Sequence, residues 1–243
     1  MKRTIFILIL ALSFPLYAQG TPAQKPTEEP ARATYLDRQI ALRNVDVVKT
    51  ESLRDIHRLT VLVANFGAEV PGSDQDLKKI EEMYTSANAR YFRRQFIESY
   101  QGHLDCRKAI SDLFKKFCDK FREKAASLVN QVSDSLSGIE LKDKQNAARS
   151  SQHNYFRSQV KLNIAFHQLS EADDFIDDRR YGDAIDHLRL AKAFAIRALL
   201  ELEEDASKKA QMETAFKVDL DDSQGYPSGS SSHPAPAQTP SNP

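Results

Sequence analysis

The sequence predicts an all-α protein: an elongated bundle of about four helices, with one very long helix, a C-terminal αα-hairpin and disordered ends. The first observation is how rarely backbone breakers occur, since residues 31–224 contain one proline, Pro71, and five glycines. Turn-dense β folds need proline and glycine often, so strands are disfavoured in this stretch. The second observation is that apolar residues recur at spacings of three, four and seven, which is the period of one helix face.

The first helical segment opens the folded domain, which we expect to span residues 34–216. It runs from Tyr35 to Phe66, where Gly67 provides a helix end and Pro71 prevents continuation. Its apolar positions are expected to face the rest of the bundle. They are Leu36, Ile40, Val47, Leu53, Ile56 and the run Leu59 to Val63.

The second segment is predicted to be the very long helix. It starts near Ser73 and continues to about Leu136, and some 60 helical residues span roughly 90 Å. Gly102 is a candidate kink in this helix, and Gly138 is its expected end. The apolar stripe on one face comprises Ile110, Leu113, Phe114, Phe117, Phe121, Leu128 and Val132.

The third and fourth segments are predicted to form the antiparallel αα-hairpin. The third covers about residues 146–178, residues 179–182 make a tight connection, and the fourth continues to about Phe216. Alanines in the fourth segment allow the two helices to approach closely. The apolar positions of the pair are Phe156, Val160, Leu162, Phe166, Leu169 and Ile176, then Ile185, Leu188, Ala191, Ala195, Leu199 and Leu202.

Both ends of the chain differ in composition from the helical domain. Residues 1–18 combine a basic start, an apolar run from Thr4 to Phe14 and a small residue at Ala18, which is typical of a cleaved secretory signal peptide. An uncleaved anchor is the alternative, but the apolar run is short for a membrane span. Residues 19–33 are predicted to be a disordered linker, and residues 217–243 a disordered tail rich in proline and serine.

The signal peptide predicts a periplasmic location, and no membrane span is expected after its cleavage. Lysine and arginine number 34, against 34 aspartates and glutamates, so the formal net charge is zero. Removal of Lys2 and Arg3 with the signal peptide leaves 32 basic and 34 acidic residues, a charge of −2. We expect no nucleic-acid partner, because phosphate binding requires a basic excess or a strong basic stripe.

Two cysteines, Cys106 and Cys118, lie in the predicted long helix. Their separation along the sequence corresponds to roughly 18 Å of helix, whereas a disulfide requires Cα atoms about 4.4–6.8 Å apart. They are therefore not expected to bridge each other. We favour buried thiols, since a free cysteine packs as a small apolar side chain, and a disulfide to another chain is the alternative.

The sequence contains no recognisable motif for catalysis, a cofactor or a metal, so we do not expect an enzyme. It lacks a glycine-rich phosphate loop, a G-x-S-x-G motif and a C-x-x-C pair. The best metal candidate joins His167 and Glu171 to Asp183 and His187, but the two pairs would lie roughly 10 Å apart along the hairpin, too far for shared coordination. Surface or half-buried positions are expected for the histidines of the helical domain, which are His57, His103, His153, His167 and His187.

One feature of the predicted long helix is better suited to a function. Between Arg90 and Phe96, arginine and aromatic residues surround the full circumference, and a helix of this kind must be covered on several sides. Arginine and tyrosine are also favoured at protein interfaces. The two interpretations are contact with another chain and packing against the first helix of the same chain. The candidate interaction surface comprises Tyr84, Arg90, Tyr91, Phe92, Arg93, Arg94, Phe96 and Tyr100.

Two strings in the helical segments resemble a known family. The first is Ala87-Asn88-Ala89-Arg90-Tyr91-Phe92-Arg93-Arg94-Gln95-Phe96-Ile97-Glu98, followed by Asp105-Cys106-Arg107-Lys108. The second is Ala184-Ile185-Asp186-His187-Leu188 with Ala191-Lys192-Ala193-Phe194-Ala195. They are similar to the flagellar-coiling proteins of Leptospira-type spirochaetes, and the likeness covers about residues 84–130 and 160–200.

The resemblance implies a non-enzymatic, elongated helical protein that coats one side of the periplasmic flagellar filament. Such a protein imposes curvature on the filament and supports motility, and its partners would be filament or sheath subunits. No catalytic residue carries over. The alternative is a periplasmic helical binding module or holdase-type chaperone, which a deep apolar cleft between helices would favour. Self-association is a further expectation, because uncovered aromatic surface favours association.

Overall fold

The computed structural model describes residues 34–143 and 149–224, and this part of the chain is all-α, as the sequence predicts. The predicted signal peptide and linker lie outside the described residues, as does the predicted tail beyond residue 224. A short 3-10 helix, Gly67–Glu69, follows the first helix. The α-helices of the described residues are α1 (Tyr35–Phe66), α2 (Ser73–Phe92), α3 (Phe96–Asp143), α4 (Arg149–Asp177), α5 (Tyr181–Leu202), α6 (Ala206–Ala215) and α7 (Lys217–Asp222).

The predicted bounds of α1 are confirmed at both ends. A capping box starts the helix: Thr34 Oγ1 accepts a hydrogen bond from the Asp37 backbone N–H at 3.2 Å, and Asp37 Oδ2 accepts one from the Thr34 backbone N–H at 2.9 Å. The hydroxyl and the backbone N–H of Thr34 both donate to this carboxylate, and they lower the pKa of Asp37. Residues that satisfy the first-turn donors therefore define where the helical domain begins.

The predicted single helix from Ser73 to Leu136 is wrong, because the chain turns back on itself after α2. The turn lies at Arg94, whose φ is 61°, and neither Gly102 nor Gly138 ends a helix. A Cβ atom at Gly102 would lie 3.1 Å from Ala87 Cβ, so this glycine permits close approach of α2 and α3. The very long helix is α3 alone, whose 48 residues span roughly 72 Å.

The helix α3 is the axis on which the other helices pack. The helix α1 runs parallel to it, since Glu51 pairs with Arg107 at 2.7 Å and the Phe66 ring meets the Phe121 ring at 4.8 Å. The helix α2 runs antiparallel to α3 and covers its N-terminal part, where the Cys106 thiol donates to a carbonyl of α2. The predicted buried stripe of α3, from Ile110 to Val132, is confirmed.

The predicted αα-hairpin is confirmed as α4 and α5, which pack on the C-terminal part of α3. Its connection turns at Arg179, whose φ is 60°. Further along the hairpin, the buried Ser158 hydroxyl donates to the Ala198 carbonyl at 3.1 Å. Full burial of the alanines in α5 allows this close approach; they include Ala184, Ala191, Ala195 and Ala198.

Some apolar positions do not face the core as expected. In α1 the buried apolar residues before Ile56 are Ala41 and Val45, while the four predicted core positions of that part are exposed instead. In α4 the same is true of both phenylalanines of the predicted stripe. The exposed side chains are Leu36, Ile40, Val47 and Leu53 in α1, and Phe156, Val160 and Phe166 in α4. These positions form uncovered apolar surface on the described chain.

The predicted tail is wrong for residues 217–222, which form α7, and the fourth predicted helix is divided, because α5 ends at Leu202. Two buried acidic side chains, Asp219 and Asp222, hold α7 against α5. Asp219 pairs with Lys192 at 2.8 Å, and Asp222 accepts two hydrogen bonds from Arg189, each 2.9 Å long. Ion pairs thus extend the folded domain beyond its predicted boundary.

The prediction of buried thiols is confirmed, since Cys106 and Cys118 are both free and fully buried in α3. Burial raises the pKa of Cys106 to about 11 and that of Cys118 to about 12. Buried sulfur atoms disfavour a disulfide to another chain while the domain is folded.

We expect neither thiol to react with Ellman's reagent in the native protein, because each is both inaccessible and protonated. A pKa of about 11 leaves roughly one thiol in a thousand ionised at pH 8. In urea, two thiols per chain should react within the mixing time. Rapid reaction of either cysteine in native buffer would contradict the buried positions.

Candidate interaction surface

The turn between α2 and α3 has the hydrogen bonds of a Schellman motif. The Arg94 N–H donates to the Tyr91 carbonyl at 2.9 Å, and the Gln95 N–H donates to the Arg90 carbonyl at 3.0 Å. Glycine normally occupies the left-handed position that Arg94 takes here, and a residue with a side chain is less stable there by about 1–2 kcal/mol. The tip of the hairpin therefore carries an arginine, although its backbone conformation favours glycine.

Contacts between the two helices fix the hairpin directly below this turn. The buried Ser99 hydroxyl of α3 donates to the Ala87 carbonyl of α2 at 2.8 Å. Gly102 allows the backbones to meet at the same level, where Ala87 is its nearest neighbour. The Arg90 guanidinium donates to the Glu98 carbonyl at 3.4 Å. The tip is therefore supported on both sides by the helices that lead into it.

The aromatic side chains at the tip divide into supporting and projecting groups. Tyr91 is half-buried, and its ring lies 5.8 Å from the Phe92 ring and 5.6 Å from the Phe96 ring, both edge to face. The Lys49 ammonium of α1 lies 4.7 Å from the centre of the Tyr91 ring. Phe92, by contrast, is 81% exposed. Tyr91 joins the tip to α1, while Phe92 extends into solvent.

The structure brings together most of the residues that the sequence marks as a candidate interaction surface. Tyr84 lies apart, further along α2, where it packs against the core with its ring 5.3 Å from that of His103. Tyr100 is half-buried on α3. At the tip, Arg93 and Arg94 are exposed and make no ion pair within the described ranges. The residues gathered at the turn are Arg90, Tyr91, Phe92, Arg93, Arg94 and Phe96.

The start of α1 adds apolar side chains that the sequence interpretation assigned to the core. Extending the register of Glu51 with Arg107 back by eleven residues in both parallel helices places Ile40 level with Phe96, so the start of α1 and the hairpin tip lie at the same end of the bundle. Leu36 is 65% exposed there. We use the name tip surface for this set, which comprises Tyr35, Leu36, Ile40, Phe92, Arg93 and Arg94.

A signal for these missed residues was present in the sequence. At about 100° per residue, Leu36, Ile40 and Val47 lie on one side of a helix, and Ala41 and Val45 lie on the opposite side. In the structure Ala41 and Val45 are buried and the other three are exposed. A helix with apolar groups on two opposite faces can cover only one of them inside the bundle.

The histidines of the described residues do not assemble a metal site. No group of three or more His, Cys, Asp or Glu side chains is arranged around a common point in residues 34–143 and 149–224. His187 is half-buried, where its Nδ1 donates to Gln168 Oε1 at 2.9 Å and its ring stacks on Phe175. The expectation of a surface or half-buried position is wrong for His103, which is fully buried. The side chain of His153 lies outside the described residues.

None of the described helices is long and apolar enough to span a bilayer. Comparisons of the chain with protein-family models, with curated proteins and with solved structures find no match.

Proposed function

We propose that this protein is a non-enzymatic structural component of an extracytoplasmic assembly, associated with the periplasmic flagellar filament and needed for its curvature and for motility. The observation that carries the proposal is the exposed Phe92 at the tip of a closed helical hairpin, directly followed by Arg93 and Arg94, which make no ion pair among the described residues. The resemblance of residues 87–98 to flagellar-coiling proteins covers the same hairpin tip.

Exposed aromatic and arginine side chains favour a protein partner at the tip surface. A phenylalanine in water gains about 1.5–3 kcal/mol when a partner covers it, and aromatic and arginine residues are common energetic anchors of interfaces. Arg93 and Arg94 add donors in a planar fork that pairs well with carboxylates. The tip surface therefore suits a partner protein that has an apolar pocket bordered by acidic side chains.

The dimensions of the molecule support a role in shaping a filament. The axis helix α3 spans roughly 72 Å, and the tip surface lies at its N-terminal end. A rod anchored to one side of a filament makes that side different from the other, and such asymmetry favours curvature. No chemical step is required of the protein in this role.

The direct experiment is to tag the protein, fractionate the cells and purify the flagellar filaments. We expect the protein in the filament fraction, and we expect cells without it to have straighter filaments and reduced motility. Recovery only as a free periplasmic monomer would overturn the proposal. If that monomer also suppressed the aggregation of unfolded proteins, the holdase alternative would replace it.

The double substitution Phe92→Ser with Arg93→Glu should strongly weaken assembly without unfolding the protein. Both side chains are exposed, so the circular dichroism spectrum and Tm should be unchanged. Loss of an interface anchor costs about 2 kcal/mol or more, which weakens binding roughly 30-fold. Co-sedimentation with filaments measures the effect.

Phe166→Ser is the matched control, because Phe166 is 64% exposed on α4, away from the hairpin tip. It should co-sediment like the wild type. Equal loss in both variants would show that the binding does not depend on the tip surface. Tyr91→Ala is less suitable, since Tyr91 packs within the hairpin and its loss would disturb the fold.

A further inference from the structure

A second uncovered surface lies in the groove between α2 and α3. The groove has a volume of about 410 Å³. Its floor is apolar and includes Met83 and Ala109, which are only partly buried. The helix α1 packs on the other side of α2 and α3, and the α4–α5 hairpin packs further along α3. The described residues that line this α2–α3 groove all belong to α2 and α3.

Charged side chains form the two rims of the α2–α3 groove, and their formal charges sum to zero. One rim, on α2, carries Asp76 and Lys79, and the other is on α3. Three acids alternate with three bases overall, so the rims carry no net charge. The rim residues of α3 are Asp105, Lys108, Asp112 and Lys116.

Most of these rim charges have no ionic partner in the part of the chain that the structure describes. Lys116 pairs with Asp76 at 2.6 Å across the end of the groove. Asp105 accepts a hydrogen bond from Gln101 at 3.1 Å and makes no ion pair with the other described residues. Among the described residues, Lys108 and Asp112 make no ion pair, and both are exposed. The α2–α3 groove thus combines an apolar floor with exposed charges that are free to pair with another molecule.

The order of charges along α3 is complementary to itself. Acid, base, acid and base follow one another from Asp105 to Lys116. In an antiparallel arrangement with a two-fold axis near residue 110, Asp105 faces Lys116 of the second copy. Lys108 then faces Asp112 of the second copy, and the axis repeats both contacts. A parallel arrangement in register would instead oppose like charges.

We propose that a second copy of this chain packs antiparallel on the α2–α3 groove and forms a two-fold symmetric dimer. Ala109 lies near the axis, where a small side chain lets two helices approach closely. Met83 fills the remaining space, since its flexible thioether adapts to irregular gaps. The dimer uses none of the tip surface, so both tips stay available and the inference is independent of the proposed function.

A charge-reversal pair tests this arrangement on the full chain. In a dimer of Lys108→Glu, the new glutamate of each copy faces Asp112 of the other copy, which opposes two acids at two places. In a dimer of Asp112→Lys, the new lysine of each copy faces Lys108 of the other copy, which opposes two bases at two places. Each variant alone should self-associate at least about tenfold more weakly than the wild type. An equimolar mixture should restore association, because both contacts in the mixed dimer then pair an acid with a base.

Sedimentation equilibrium with one variant fluorescently labelled measures the homodimers and the mixed dimer separately. The matched controls are Asp134→Lys on α3 and Lys208→Glu on α6, which are exposed and lie outside the groove, and both should dimerise normally. A wild type that stays monomeric at about 1 mM, where even weak complexes form, would overturn the proposal. So would a dimer that both single variants leave intact, or a mixture that fails to associate.

Discussion

Replacing Asp219 with alanine is expected to lower the free energy of unfolding by about 3–5 kcal/mol, the effect of leaving one partner of a buried ion pair without the other. Lys192 is fully buried, and its ammonium lies 2.8 Å from Asp219 Oδ1 and 3.4 Å from the centre of the Phe121 ring. Burial lowers the pKa of Lys192, and Asp219 opposes this shift. Without Asp219, the charged ammonium of Lys192 stays buried without its main counter-charge.

Urea denaturation followed by circular dichroism measures the expected loss. Detachment of α7 would reduce this loss of stability, because it would expose Lys192 to water. Trypsin cleavage at Lys217, an exposed residue at the start of α7, would then become fast. An unchanged urea midpoint together with slow cleavage would show that the ion pair does not hold α7 in place.

The substitution Lys192→Met is the matched control for Asp219→Ala. Its side chain keeps the length that packs against Phe66 and Phe121, and Asp219 retains its pair with Lys124 at 2.8 Å. We expect a smaller loss of stability than in Asp219→Ala. The double variant Lys192→Met with Asp219→Leu should lie close to the wild type, because replacing both members of a buried pair with apolar groups is often neutral.

These contacts explain why the sequence did not reveal α7. Apolar periodicity locates helices that pack through apolar stripes, and it located the ends of α1 and the buried face of α3. The helix α7 has six residues and is held by Asp219 and Asp222, which are residue types usually found on the surface. Their partners lie on α5, some 30 residues earlier in the chain, and only the tertiary fold brings them together.

The α2–α3 turn was missed for a different reason. Sequence interpretation expects glycine where the backbone becomes left-handed, and this chain has arginine at position 94. The glycine that was assigned to a kink, Gly102, instead allows the two helices to touch. The candidate interaction residues were therefore found by composition, while their position at a hairpin tip needed the structure.

The buried His103 should make the stability of the protein sensitive to mild acid. The imidazole packs against the Tyr84 ring, and neither of its nitrogen atoms has a hydrogen-bond partner among the described residues. Two effects lower the pKa of His103 below its ordinary value of 6.5. Burial is the larger effect, and the positive charge of Lys49 is the smaller one. The folded protein therefore keeps His103 neutral over a pH range in which the unfolded chain takes up a proton.

The sign of the effect follows from this difference in proton uptake. Above about pH 6.5 both states are neutral at His103, and the full stability is present. As the pH falls below that value, protonation favours the unfolded state, and the free energy of unfolding decreases by at most about 1.4 kcal/mol per pH unit. The decrease stops once the pH falls below the lowered pKa of the folded state.

His103→Leu removes both the proton uptake and the two unpaired nitrogen atoms. Each buried polar group without a partner costs about 1–3 kcal/mol, so the variant should be more stable than the wild type at neutral pH by an amount in that range. Its advantage should widen as the pH falls from about 6.5, which urea denaturation at several pH values measures. The exposed His57 on α1 provides the control, and His57→Gln should follow the wild type at every pH. If His103→Leu kept a constant difference from the wild type over this range, the imidazole would have to be equally protonated in both states, and its burial without partners would not govern the response to acid.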